Sequence, residues 1–350
     1  MTGFPSENRT DSAGCGSREV RELAPVVWHR KFADAEEQAA SISDAYAQQY
    51  DQLDAGAFAG TMTRVELDGV IVLRERVNRC LFQAGRAKGF SLVWPVSPTA
   101  RCCCNGVDLG PERMVVWRPG TPFEILCDPS EMWSVSISSS AFADWGGYYP
   151  DDGDQNLLLG IRIVPPRIAD SLRFVVRQAL AHADARSDLG GDALLRASLR
   201  DELLQLVTTV AELPGRRDES LRRCERTYRR VVRAARAYIT ADGTGSVTIE
   251  DLCKRVGVSR RNLHYAFDAL LGMSPGRYLR SVRLNAVRRS IKRADPRGST
   301  VADIAFSWGF CHPSHFSADY KRHFEELPSE TARRAATVDA ARMIDLPIEA

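Results

Sequence analysis

Two stretches of the chain repeat one another. The first reads Thr248-Ile-Glu-Asp251-Leu252-Cys-Lys-Arg-Val256-Gly257-Val258-Ser259, followed by Leu263 and Phe267. The second reads Thr300-Val-Ala-Asp303-Ile304-Ala-Phe-Ser-Trp308-Gly309-Phe310, followed by Phe316 and Tyr320. The offset is 52 residues up to the glycine and 53 after it, so the second turn holds one extra residue. In each copy Thr and Asp stand at N-cap and N3 spacing, where both side chains can satisfy free N–H groups of a first helical turn. Leu252 and Val256, or Ile304 and Trp308, then make an inward stripe. Gly257 and Gly309 fall where the helix must stop and reverse, a left-handed position that favours glycine. Ser259 can cap a second helix, and Pro313 suits the first turn of its counterpart. Leu263/Phe267 and Phe316/Tyr320 face inward four residues apart, which leaves the positions between them exposed. This is the pattern of two helix–turn–helix units, in which a second helix enters the major groove of DNA.

The charge distribution agrees. The 350 residues carry a formal net charge of +2, with hydrophobic content of 44% and charged content of 26%, ordinary for a globular chain of about two domains. Residues 221–334 hold 23 Lys/Arg against 11 Asp/Glu, a net of +12, and the remainder has a net of −10. A basic block that contains both repeats reads as a footprint on a polyanion. Only five of the 47 basic residues are Lys, in a chain rich in Arg, Ala and Gly throughout.

Upstream the character is different. Residues 1–24 are polar and aperiodic and are expected to be a disordered tail. Residues 32–50 predict a short amphipathic helix. Strand-like runs follow at 61–67, 70–74, 80–83, 91–95, 114–117, 123–127 and 133–138, separated by turns such as Asp68-Gly69 and Asn105-Gly106. Short strands at this spacing predict a small antiparallel barrel or sandwich; a barrel would have room for one small ligand or a filled core. Residues 144–160 read as a loop. Two helices are expected at 168–185 and 193–213, the second with a leucine stripe that either packs inside the domain or forms a homodimer interface. Leu213-Pro214-Gly215 breaks the pattern. The expected organisation is a sensor and dimerisation domain at 25–213, a linker at 214–227, a helical domain at 228–335 and a tail at 336–350.

The nine cysteines are odd in number and irregularly spaced. Cys102, Cys103 and Cys104 are consecutive, and on a strand they cannot converge on one metal. Small apolar strand residues are the simpler reading, although a redox or metal site at Cys80, Cys102–Cys104 or Cys127 stays open. No run of 18 apolar residues occurs, and the first 20 residues lack the apolar core of a secretory leader, so no membrane partner and a cytoplasmic location are expected.

Residues 231–334 resemble the DNA-binding domain of the AraC/XylS family of transcription regulators. The run Ile304-Ala-Phe-Ser-Trp-Gly-Phe-Cys-His-Pro-Ser-His-Phe-Ser-Ala-Asp-Tyr-Lys321-Arg-His-Phe324 follows the family signature, as does Gly272-Met-Ser-Pro275-Gly-Arg-Tyr278 with Arg283-Leu284-Asn-Ala286. Around Gln52-Leu-Asp-Ala-Gly56-Ala-Phe58-Ala-Gly60 and Arg76-Val77-Asn78-Arg79 the chain is loosely similar to sensor domains of a subgroup that includes ethanolamine-utilisation regulators. The family usually has Gly at Glu325, a small polar residue at Leu327 and often a basic residue at Ala318.

The resemblance implies an α+β chain: a cupin-like antiparallel barrel with two helices, then an all-α domain with two helix–turn–helix motifs joined by a long helix, Pro275–Arg293. It implies double-stranded DNA and RNA polymerase as partners and a ligand-responsive activator as the function. Ser259, Arg260, Arg261, His264 and Tyr265 are the expected DNA-binding residues of the first recognition helix, and Cys311, His312, Ser314, His315 and Ser317 those of the second. Arg261 suits bidentate contact to guanine. Arg288, Arg289 and Lys321 are candidate phosphate neutralisers. His312, His315 and His323 read as DNA-facing rather than as metal ligands. No effector residue, cofactor or catalytic set is legible, and the Pro-Cys-His-Arg run of fused repair methyltransferases is absent. A redox- or metal-responsive regulator and a constitutive one with a structural barrel remain alternatives.

Overall fold

A computed structural model describes residues 27–97, 100–110, 112–146, 157–184, 192–217, 223–242, 245–294 and 298–344. The expected tail at 1–24 lies outside the described residues, as do residues 147–156 of the expected loop, 218–222 of the linker and 345–350.

The N-terminal half contains β1 (Val27–Phe32), α1 (Ala35–Ala40), β2 (Tyr46–Gln52), β3 (Gly60–Leu67), β4 (Val70–Val77), β5 (Leu81–Ala87), β6 (Phe90–Pro95), β7 (Cys102–Cys104), β8 (Val107–Asp108), β9 (Arg113–Trp117), β10 (Pro122–Cys127), β11 (Ser130–Ile137), α2 (Ser139–Asp144), β12 (Leu157–Ile163), α3 (Pro166–Asp184), α4 (Ala193–Glu212) and β13 (Gly215–Arg217). The strands are antiparallel. They form an eight-stranded sheet in the order β1-β3-β4-β11-β6-β9-β12-β13 and a five-stranded sheet in the order β2-β5-β10-β7-β8. The expected barrel is therefore two facing sheets whose edges do not pair. The expected helix at 32–50 is also corrected. Its middle is one and a half turns of helix, capped by Asp34 accepting from the Glu36 and Glu37 N–H groups. Its end is a strand, because Tyr46 and Tyr50 alternate inward with period two.

Strand alternation places three cores. Val65, Val72, Trp133 and Val135 of the large sheet face α3 and α4. Met62, Leu73, Val115 and Trp117 face the small sheet, which contributes Tyr46, Phe123, Ile125, Cys102, Cys104 and Cys127. The outer face of the small sheet, with Phe82, Cys103 and Leu126, packs against the helical half. Cys103 thus points away from its two neighbours, as strand geometry requires. The leucine stripe of α4 (Leu199, Leu203, Leu204, Val207) is fully used inside the first core. Of the two roles open for residues 193–213, packing inside the domain is the one these four side chains fill, while Leu194 of the same stripe is exposed.

The helical half contains α5 (Arg223–Asp242), α6 (Ile249–Val256), α7 (Arg260–Leu271), α8 (Pro275–Arg293), α9 (Val301–Ser307), α10 (Pro313–Phe324) and α11 (Pro328–Ile344). Both expected capping boxes form: the Thr248 and Thr300 N–H groups donate to Asp251 and Asp303 at 2.9 and 3.0 Å, and each Asp N–H donates back to the Thr hydroxyl at 3.2 Å. Gly257 ends α6 at φ +72°, and Gly309 lies just beyond α9 at φ +82°. α11 continues through residues expected to be tail.

The two halves dock through α8. Arg288 is buried and bonds Asp34 (Nε to Oδ2, 2.9 Å) and Glu326 (2.6 Å), while Lys292 meets Asp34 at 2.7 Å and Arg289 meets Asp51 at 2.6 Å. Asn285 accepts from the Gln52 N–H at 3.1 Å and donates to its carbonyl at 2.8 Å. His323 Nε2 lies 2.9 Å from the same carbonyl. Arg236 of α5 covers the Phe82 ring at 3.5 Å and pairs with Glu124.

These contacts set acid stability. Burial, together with the Arg288 and Arg322 charges, holds the His323 imidazole down at about 4. Burial alone would raise the Asp34 carboxyl, but Arg288 and Lys292 outweigh it and hold it at about 2. A neutral His323 contributes fully above about pH 6.5 and loses that contribution as pH falls towards 4; Asp34 follows below about pH 4. His323→Gln should abolish the first loss. A melting temperature that falls equally between pH 7 and pH 4.5 in both proteins excludes this role for His323.

The turns supply a second expectation. Glu325 ends α10 in the left-handed region at φ +56°, and Glu325→Gly should stabilise the chain by about 0.5–1 kcal/mol in urea melts. Gly309→Ala should cost more than Gly257→Ala, because a Cβ at 309 meets the Gly245 carbonyl oxygen at 2.8 Å and one at 257 meets nothing within 4 Å. Equal costs would rule out the close approach as the cause.

Candidate nucleic-acid interface

The inward pairs Leu263/Phe267 and Phe316/Tyr320 are fully buried, and this fixes which faces of α7 and α10 look outward. On α7, Arg260, Arg261, His264 and Tyr265 are all exposed. Arg261 is not splayed at random. Its Nε and Nη2 donate to the Tyr265 hydroxyl at 3.1 and 3.0 Å, and its guanidinium lies 5.4 Å from that ring's centroid. The tether uses two of five N–H donors and restrains the side chain, which lowers the entropy lost when the remaining donors engage a ligand. Ser259 is exposed, but its hydroxyl accepts from the Asn262 N–H at 3.2 Å as the helix cap. What it presents outward is the N-terminus of α7, where unpaired N–H groups favour a phosphate.

In the turn before α10, Cys311 and His312 are exposed; on α10, Ser314 and His315 are exposed and Ser317 is half-buried. His312 is the N-cap residue without a side-chain cap bond, and its ring lies 5.6 Å from that of His315. Among the described residues neither ring has a charged partner. Among the described residues no group of three His, Cys, Asp or Glu could hold a metal. Lys321 is exposed on the last turn, and Ala318 leaves a smooth spot between Ser317 and Lys321.

Three expected residues are placed elsewhere. Arg288 and Arg289 are not on this surface, because their guanidinium groups are spent on Asp34, Glu326 and Asp51 of the docking contact. His323 is buried in the same contact rather than facing outward. The physical reason is common to all three. The face of α8 that carries 281, 285 and 288 is a core face, and the periodicity of an arginine-rich helix does not reveal that. The residues missed altogether are the acidic partners, Asp34, Asp51 and Glu124, whose only signal was the net negative charge of the other half. Exposed Arg277 joins the outward cations near the start of α8.

Docking leaves both recognition faces uncovered while touching both units. Arg101 donates to the Ala269 and Leu270 carbonyls at the end of α7, and the Gln52 side chain and Gly56 N–H donate to the His323 carbonyl in α10 at 2.9 and 3.0 Å. The two recognition helices are therefore positioned by α8 between them and by the sheet domain behind them.

Comparison with known proteins agrees with this architecture. A helix-turn-helix domain model matches residues 252–334, and an AraC-binding-like domain model matches residues 43–239, more than half of the chain. The chain is 38% identical over 103 residues to a probable thc operon regulatory protein of Rhodococcus erythropolis, covering 29% of this chain and 31% of that one. It is 32% identical over 89 residues to XylDLEGF operon transcriptional activator 3 of Pseudomonas putida, covering 25% and 27%. Each alignment thus spans under a third of the curated relative. A solved structure of the AraC-like transcriptional activator CuxR is 15% identical, covering 80% of this chain and 99% of that one at a TM-score of 0.40. The two domain matches, in the order sheet domain then helix–turn–helix, place this chain in the AraC family of DNA-binding transcription regulators.

Proposed function

We propose that the chain is a ligand-responsive transcription activator that reads two adjacent major-groove segments with α7 and α10. The observation that carries this is the pair of exposed recognition faces held by one helix of one polypeptide. Two recognition helices in one chain call for a site of two unlike elements about one helical turn, ~10 bp, apart on the same face of the duplex, rather than a palindrome. Arg261 is assigned to base readout, with Arg260, His264 and Tyr265 beside it. On α10 the short side chains and two histidines favour methyl and phosphate contacts, with Lys321 as a phosphate neutraliser. RNA polymerase is the partner that activation requires, and the cytoplasm is where both it and DNA are met.

Ligand response is favoured over redox sensing by the state of the thiols. Burial pushes Cys80 up to about 12 and raises Cys102, Cys103, Cys104 and Cys127, so thiolate, the reactive form, is scarce. The sheet domain instead offers a small, partly open cavity bounded by both sheets.

Selection of bound duplexes from a random pool should return a non-palindromic two-element site. A palindrome, or a single short element, would sink the two-helix reading. Arg261→Ala should weaken binding by roughly 1–3 kcal/mol and relax preference at one base position. An equal loss on selected and random DNA would reassign Arg261 to a phosphate.

A further inference from the structure

The cavity between the sheets has a chemistry that narrows its ligand. Its walls are aliphatic and aromatic. Trp117 and Phe123 stack at 4.1 Å and 10°, and Tyr46 stands edge-on to both at about 6 Å. One charged side chain enters it. Glu75 of β4 follows Leu73 on the inward face of the strand, and its carboxylate lines the cavity.

The partners of that carboxylate are all neutral. Gln38 Nε2 donates to Oε1 at 2.8 Å, Gln83 Nε2 donates to Oε2 at 3.3 Å, and the Tyr50 hydroxyl serves it as well. The arrangement is built in: a Cβ at Gly60 would fall 1.8 Å from Gln38 Oε1, so glycine there makes room for the amide that holds Glu75. Among the described residues no Lys, Arg or His pairs with Glu75. Neutral donors orient a carboxylate but do not cancel its charge, and withdrawing this half-buried group from water raises Glu75 above the ordinary glutamate range. The Tyr46 hydroxyl, also on the cavity wall, is buried and makes no hydrogen bond, although the Ser134 and Ser136 hydroxyls lie near it. A core with no ligand to hold would gain by an aliphatic residue in place of Glu75.

We propose that this cavity binds a small organic cation, an amine or amidine on an apolar body, with its charged end on Glu75 and its body against Trp117, Phe123 and Tyr46. The carboxylate supplies the missing opposite charge, the aromatic faces favour a cation over a neutral group, and the Tyr46 oxygen is free to accept one more N–H. An anionic ligand would meet Glu75 with like charge, and a neutral one would leave that charge uncompensated. The proposal rests on the reading of the chain as ligand-responsive, and it assigns the chemistry of that response.

The test uses the full chain at neutral pH and three probes of one shape: benzylamine, benzyl alcohol and benzoate. Binding is followed by tryptophan fluorescence, since Trp117 lines the cavity, and by the melting temperature. Benzylamine should bind roughly tenfold or more tighter than the alcohol, with benzoate weakest. Glu75→Gln should erase that preference while the unliganded melting temperature stays equal or rises, because an uncompensated charge is removed. Equal affinity for amine and alcohol, no binding of any probe, or an amine preference that survives Glu75→Gln overturns the proposal. The wild-type comparison stands even if the variant misfolds. DNA footprints taken with benzylamine separate the two claims: occupancy of the cavity with an unchanged footprint keeps the cation site and removes ligand responsiveness.

Discussion

Arg288 is the residue on which both halves of the molecule converge. Its guanidinium sits between Asp34, which is also the cap of α1, and Glu326, which follows the second recognition helix, and it lies 4.4 Å from the Phe324 ring centroid. A buried cation with two carboxylates is not a large net source of stability, but removing one member leaves the others uncompensated at a cost of about 3–5 kcal/mol. The group therefore works as a lock on geometry. It ties the start of the sheet domain, the middle of α8 and the end of the second helix–turn–helix unit to one point. Lys292 and Arg289 extend the same contact along α8. Arg236 and Glu124 make a second one at the first unit.

This arrangement changes what the charge asymmetry means. A basic block beside an acidic remainder invites the conclusion that every surplus cation awaits phosphate. Arg236, Arg288, Arg289 and Lys292 instead meet carboxylates of the other half. The outward charge is left to residues such as Arg260, Arg261, Arg277 and Lys321, which are fewer and better placed. Placement outweighs net charge in setting sequence preference, since neutralised phosphates add affinity on any sequence while only groups at base edges discriminate.

What the sequence made legible follows from how local each signal is. The capping boxes, the reversing glycines and the four-residue inward pairs involve neighbours within one or two turns, and all of them appear in the structure as the repeat implies. Seven strand runs were visible because their side chains alternate or run apolar between turn residues. Residues 32–50 misled because Ala, Glu and Gln are strong helix formers, whereas Tyr46 and Tyr50 are drawn into the inter-sheet core. The leucine stripe of α4 could not be assigned to a dimer or to a core, because amphipathicity states only that a face is covered. Arg288 and His323 were misplaced for a related reason: a charged residue on a helix reads as exposed, and the carboxylates that bury Arg288 lie far away in sequence. Glu75 gave no signal at all, since one acid in a strand is ordinary until the opposite sheet closes over it.

The same topology joins the cavity to the DNA-binding half through a single strand. The inward residues of β2, Tyr46, Gln48 and Tyr50, line the cavity beside Glu75. Its end, Asp51 and Gln52, with Leu53 beyond, carries the bonds to Arg289, Asn285, His323 and Ser281. Tyr50 borders both the cavity and the polar cleft between the halves that Asp34, Asn285, Arg288 and Phe324 line. A ligand can shift docking only by its difference in affinity for the docked and undocked placements of β2. Couplings of that kind are typically 1–3 kcal/mol, on the order of the worth of the few hydrogen bonds at Gln52. A ligand of the proposed kind would not need to break the Arg288 lock. It would need only to bias a strand whose two ends answer to different partners.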